Sequence, residues 1–124
     1  MDCPFCDCCE NVIASNELVY AVYDTCPVTK GHLLVIPKRH VASYFDTTLE
    51  EKNAINDVID ECKKLMDAKY NPDGYNIGIN CGEAAGQTIF HVHVHLIPRY
   101  AGDVSNPRGG IRGIIPGRSD YKDE

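Results

Sequence analysis

Three histidines stand at every second position, His91, His93 and His95, in the run from Phe90 to Arg99. Val92, Val94 and Leu96 fill the gaps, and alternation of this length predicts a β-strand. Successive strand side chains point to opposite faces, so the three imidazoles are expected on one face, roughly 6.5–7 Å between neighbours. The chain has only five histidines, and three are here. A merely solvated strand face would draw on Thr, Lys and Glu as well. The concentration points to chemistry of one of two kinds. Imidazoles on a strand face bind zinc, with one position left open when the site is catalytic. Alternatively, neutral imidazole attacks phosphorus through one ring nitrogen while a hydrogen bond holds the other.

The residues just upstream favour phosphate. Gly82-Glu83-Ala84-Ala85-Gly86-Gln87-Thr88 is a small-residue loop running straight into the histidines. Backbone amides in such a loop approach an anion closely, and Gln87 and Thr88 add side-chain donors at its end. Charge agrees. The net charge of −6 argues against general binding of long nucleic acids, yet residues 99 to 118 carry Arg99, Arg108, Arg112 and Arg118 against Asp103 alone. A small basic patch on an acidic protein suits a small anionic ligand better than a polyanion.

The 124 residues are expected to form one domain, 1–124, with a single core. No apolar run approaches the roughly 20 residues that span a bilayer, and the acidic, cysteine-rich start is the reverse of a signal peptide. A cytoplasmic protein is the expectation. Strands are expected over Glu17 to Tyr23, His32 to Ile36, Tyr75 to Asn80 and the histidine run. One long helix is plain: Ile55, Val58, Ile59, Cys62, Leu65 and Met66 recur at helical spacing. Thr47 with Glu50, or Thr48 with Glu51, offers a capping box, and Asn71-Pro72-Asp73-Gly74 ends the helix. Strands gathered around a single helix with short connections indicate an α+β, antiparallel design.

Seven cysteines is an odd number, best read as reduced thiols, some of them metal-bound. Cys3 and Cys6 form a C-x-x-C pair, and so do Cys6 and Cys9, so spacing leaves the ligand pair open. A zinc site needs two further ligands, for which the remaining histidines are candidates.

The segment from Gly86 to Arg99 resembles the signature of the histidine triad, or HIT, family of nucleotide hydrolases and transferases. Gly31 to His40 is similar to that family's second landmark, and the likeness runs from the amino-terminal cysteines to about Pro116. The stretch after Arg99 resembles the branch called diadenosine tetraphosphate hydrolase-like. The resemblance implies a five-stranded antiparallel sheet with one long helix, a short amino-terminal helix, and assembly as a homodimer. It implies a structural zinc held by Cys3, Cys6, His40 and His91 (residues 1–10 forming a zinc-binding segment) and no organic cofactor. It assigns His93 as nucleophile toward the α-phosphorus of a purine nucleotide derivative, forming a nucleotidyl-histidine that water cleaves. The carbonyl of His91 is expected to accept the other ring proton of His93. His95 would bind a phosphate oxygen or the leaving group, Gln87 and Thr88 would stabilise phosphoryl oxygens, and His32 would complete the pocket. Asp24 stands where the family places a ribose-facing residue, and Asn80 is a further candidate phosphate contact.

Two other readings share these residues. One is a nucleotide-responsive regulatory protein with slow turnover; the other is a metallohydrolase with zinc on His91, His93 and His95 together. The extended tail, residues 99–124, is expected to dock through Ile111, Ile114 and Ile115 and to bring Arg108 or Arg112 to the distal phosphate.

Overall fold

Alternation along two central strands sets the layers. In β2 (Val19–Tyr23) and β3 (Leu33–Pro37), Val19, Ala21, Leu33 and Val35 face one way and Tyr20, Leu34 and Ile36 the other. All are buried, so both faces of these strands are covered. The computed structural model describes residues 3–6 and 10–121. Its five strands are β1 (Ala14–Ser15), β2, β3, β4 (Gly74–Ile79) and β5 (Val94–Arg99). They form one sheet in the order β1-β2-β3-β5-β4, every pair antiparallel. This is the antiparallel α+β design expected from the sequence, with the five strands that the resemblance implies.

The helix α1 (Leu49–Tyr70) lays Ala54, Ile55, Val58, Cys62 and Met66 on the first face, against Val19, Ala21, Leu33, Val35, Val94 and Leu96. Burial pushes the Cys62 thiol up to about 12, so it packs as a small hydrophobe. Thr48, not Thr47, is the cap: its hydroxyl accepts from the Glu51 amide and the Glu51 carboxylate accepts from the Thr48 amide. Asn71, at φ 50°, ends the helix in the left-handed region. Leu65, on the flank of the apolar stripe, is left exposed.

Beyond one-residue shifts at the ends of β3 and β4, three places set the sequence expectation against the structure. The strand expected from Glu17 starts at Val19, because the Asn16 carboxamide oxygen accepts from the amides of Leu18 and Val19 and folds the chain into a tight β1–β2 turn. The expected short amino-terminal helix falls largely on residues outside the described ones; those described there form a turn over Pro4–Cys6, closed by the Cys6 amide on the Cys3 carbonyl.

The third is the histidine run, of which only His95 lies in the sheet ladder. Val94 pairs with Val35, and two residues further Pro37 has no N–H to offer while its carbonyl is taken by the His91 ring at 2.7 Å. The ladder stops there. His91 and His93 precede it on an irregular segment, with a bend at His91, whose Val92 amide bonds the Val41 carbonyl. No helix among the described residues is long and apolar enough to cross a membrane.

Candidate active site and metal centre

The second sheet face, away from α1, carries a cleft of about 950 Å³. Ile13, Val22, Leu34, Ile89 and Phe5 give it apolar walls, while His93, His95, Asn80, Thr88 and Gly86 line it together with Asp24. His95 pairs across the ladder with Leu34 and Gly78, which fixes its height above the sheet.

His91 turns away from this cleft. It is fully buried, and its Nδ1 lies 3.4 Å from Cys3 Sγ and 3.6 Å from Cys6 Sγ. His40 Nδ1 lies 3.1 Å from Cys6 Sγ. One ligand atom from each of the four residues falls within 4.8 Å of the others. Tetrahedral zinc, with Zn–S near 2.3 Å and Zn–N near 2.0 Å, needs sulfur–nitrogen edges of about 3.5 Å. The donor set and spacing fit. The tautomer fits as well: His91 Nε2–H donates to the Pro37 carbonyl at 2.7 Å, leaving the Nδ1 lone pair toward the thiols. Next to His40 in the chain, the Arg39 guanidinium forks onto Glu51 at 3.0 and 2.8 Å. That fork is the main reason the Glu51 carboxyl is pulled down to about 2. The alternative ligand Cys9 lies outside the described residues.

His93 sits between the two groups. Its Nδ1 lies 2.9 Å from the His91 carbonyl, so that nitrogen carries the proton and Nε2 carries the lone pair. His95 takes the opposite form. The Val28 amide donates to His32 Nδ1 at 3.1 Å, which puts the proton on His32 Nε2, 3.0 Å from His95 Nδ1. His95 therefore carries its proton on Nε2. Burial pushes both His32 and His95 below the ordinary imidazole range, so they are neutral near neutral pH. Gly31 brings His32 here: its φ is +91°, and a Cβ there would press on Tyr70, Pro98 and Met66 at 3.0 to 3.2 Å.

Asp24, His32 and His95 also lie within ligand distance of one another. A metal on His32 Nε2 would force the proton to Nδ1, against the Val28 N–H, so His32 and His95 form a hydrogen-bonded pair with the Asp24 carboxylate beside it. Asp24 contributes one oxygen to the Cys26 amide at 2.8 Å and holds the other 3.5 Å from His32 Nε2. A metal on His91, His93 and His95 together does not match the geometry either, since His91 belongs to the thiol cluster and the proton on His93 Nδ1 faces a carbonyl.

Gln87 departs from its expected role. Its carboxamide oxygen accepts from the Gly82 amide at 2.8 Å, and its nitrogen donates to the carbonyls of Ala42 at 2.7 Å and Ile89 at 3.2 Å. It is buried and latches the loop instead of facing a phosphate. The amides of Ala85, Gly86 and Gln87 all donate within the same loop, so they are not donors to an anion. Thr88 and Asn80 do line the cleft.

The tail arginines also differ. Arg108 and Arg112 stack on the Tyr121 ring at 4.8 and 5.1 Å, Arg108 approaches Asp120 at 3.5 Å, and Arg112 donates to the Arg118 carbonyl. Neither lines the cleft. All three isoleucines stay exposed, although Ile111 approaches β4 at Gly78. An aromatic ring and a carboxylate inside the tail compete for the guanidinium groups more closely than the cleft does.

Sequence reasoning missed Phe5, Val28 and Ala42. Val28 and Ala42 act through main-chain atoms, which leave no trace in residue type. Phe5 was visible only as the residue between two cysteines.

The family model described as HIT domain matches residues 8–102. A HIT family protein of Bacillus anthracis has a crystal structure 41% identical to this chain, with a TM-score of 0.76, covering 82% of this chain and 76% of that one. A zinc-bound histidine triad family protein of Mycobacterium smegmatis is 38% identical, with a TM-score of 0.70, covering 77% and 69%. The bis(5'-adenosyl)-triphosphatase of Dictyostelium discoideum is 37% identical over 77% of this chain and 64% of that protein. With the family match spanning most of the chain and the fold agreeing, this protein belongs to the HIT domain family, and with it to the nucleotide hydrolases and transferases.

Proposed function

We propose that the chain cleaves a purine nucleotide derivative at its α-phosphate, with His93 as nucleophile. The observation that carries this reading is the hydrogen bond from His93 Nδ1 to the His91 carbonyl, which leaves the Nε2 lone pair directed at the cleft. Nε2 attacks phosphorus, an N–P bond forms, and the bond from phosphorus to the leaving group breaks with its electron pair departing on that group. Water then attacks the same phosphorus, releasing the nucleotide and restoring His93. His95 Nε2–H donates to a phosphoryl oxygen or to the leaving group, and Thr88 and Asn80 supply the nearby polar contacts. Ile13, Val22, Leu34 and Ile89 take the base, and Asp24 takes the ribose hydroxyls on its oxygen nearer His32.

Dinucleoside polyphosphates and nucleoside phosphoramidates are the substrate classes this arrangement suits. The resemblance to a bis(5'-adenosyl)-triphosphatase supports the first.

In the same reading Cys3, Cys6, His40 and His91 hold one structural zinc, whose part is to brace the amino-terminal turn beside the cleft. Its four protein ligands leave no position for substrate. A homodimer is also part of the proposal: among the described residues no strand pairs with the outer edge of β4, and Ile77 on it is exposed, a template for a second copy.

The test is His93→Ala assayed on a diadenosine polyphosphate and on an adenosine phosphoramidate, with AMP binding measured in parallel. Turnover on both substrates should vanish while AMP still binds. Retained turnover would remove His93 from the mechanism.

A further inference from the structure

The amino-terminal turn holds an aromatic ring with no part in the chemistry above. Phe5 is buried between Cys3 and Cys6 in sequence, and its ring centroid lies 5.0 Å from that of His93, tilted by 54°. It meets His91 edge-on, at 5.9 Å and 89°. From below, the Tyr20 hydroxyl donates to the Phe5 carbonyl at 2.6 Å, fastening the turn to β2. Burial pushes that phenol up to about 12, so the donor keeps its proton throughout the working range.

One hydrogen bond fixes one nitrogen of His93 but leaves the ring plane free to swing about it. A packed ring alongside removes that freedom. His95 packs on His93 as well, at 5.3 Å and 66°. The nucleophile therefore lies between an aromatic ring from the cysteine turn and an imidazole from β5.

We propose that Phe5 is a positioning residue for His93, holding the imidazole plane so that Nε2 points at phosphorus, and that the metal cluster reaches the nucleophile through it. The inference rests on His93 being the nucleophile. Two routes run from the cluster to His93. Through His91, the cluster fixes the carbonyl that orients Nδ1; through Cys3 and Cys6, it fixes the turn that carries the ring. A simple apolar wall for the base is the competing role, since Phe5 also lines the cleft. The two roles separate in kinetics: a wall acts on binding, whereas a positioning residue acts on kcat.

The experiment uses the full-length zinc-loaded chain with Phe5→Leu and Phe5→Tyr. Measured are kcat on an adenosine phosphoramidate, the Kd for AMP, zinc content, and the NMR signals of the His93 ring protons. Leucine keeps the apolar volume but loses the flat face. It should lower kcat about tenfold, the order of loss expected from a slight misplacement of a reacting group, with AMP Kd within about threefold. Tyrosine should restore kcat. In the unaltered protein the His93 ring protons should show the upfield displacement of a neighbouring aromatic ring. Phe5→Leu should abolish it, and removing metal with a chelator should weaken it. A Leu variant with unchanged kcat, or with its loss entirely in AMP affinity, would overturn the proposal. So would His93 signals in the wild type that show no ring-current displacement, a result independent of how any variant folds. Turnover surviving in His93→Ala would overturn the nucleophile assignment itself; an inert His93→Ala beside an unaffected Phe5→Leu would overturn only the role of Phe5.

Discussion

His91 and His95 stand two residues either side of His93, and burial pushes both below the usual imidazole range. They nonetheless take opposite tautomers. The Pro37 carbonyl holds the His91 proton on Nε2 and frees Nδ1 for the thiol cluster. The His32 N–H fills His95 Nδ1 and leaves the proton on Nε2, available to the cleft. On the proposed reading, the same side chain serves as a metal ligand in one place and as a donor to phosphate in the other. The partner behind each ring decides its role.

Breaking the two regions should therefore break different things. His93→Ala, in the cleft, should cost at least about a thousand-fold in turnover, with zinc content and Tm unchanged. Cys3→Ser, in the cluster, should lower zinc from one per chain and destabilise the fold by about 2 kcal/mol or more, on the order of 10 °C in Tm. Metal analysis, thermal melts and turnover on both variants make the comparison. Loss of zinc from the His93 variant would mean that the two regions are one metal site.

A finer cut lies within the cleft. His32→Ala removes the donor that sets the His95 tautomer, and turnover should fall about 10- to 100-fold with AMP binding reduced less. Stability should respond to pH through the same residue. In the unfolded chain His32 binds its proton near pH 6.5, whereas burial delays this in the fold to lower pH. Between those values the unfolded state holds more protons, so stability is full above about pH 6.5 and declines as pH falls through the lowered value. Urea midpoints at several pH values should show this decline, and His32→Gln should make it shallower, leaving the parts that the buried His91 and His95 contribute with the same sign.

Much of this was legible because side-chain type carries it. The alternating histidines, the C-x-x-C pair and the apolar periodicity of α1 all declared themselves in the sequence, and the cluster of Cys3, Cys6, His40 and His91 formed as the resemblance implied. What stayed hidden runs through the backbone. Residue type marks Pro37 as a strand breaker, but not that its break falls opposite the histidine run, nor that the Val28 amide sets the protonation of His32. Gln87 was placed on the phosphate because a carboxamide after a glycine-rich loop suits that task. Its actual partners are an amide and two carbonyls, one of them 45 residues away. The smallest expected effect follows from this. Gln87→Ala should loosen the loop and reduce turnover by only about threefold to tenfold, because it touches no phosphate in the arrangement seen here. A loss approaching that of His93→Ala would return Gln87 to the reacting atoms.

The central claim is that one imidazole, His93, becomes covalently bonded to the nucleotide. Rapid-quench mixing with a diadenosine polyphosphate, followed by denaturation at alkaline pH and peptide mass spectrometry, reads this directly. The account predicts a single nucleoside monophosphate attached to the peptide bearing residues 91–95, localised to His93 and absent from His93→Ala. An adduct on His91 or His95, or turnover with no adduct on any histidine at the earliest quench times, would contradict it.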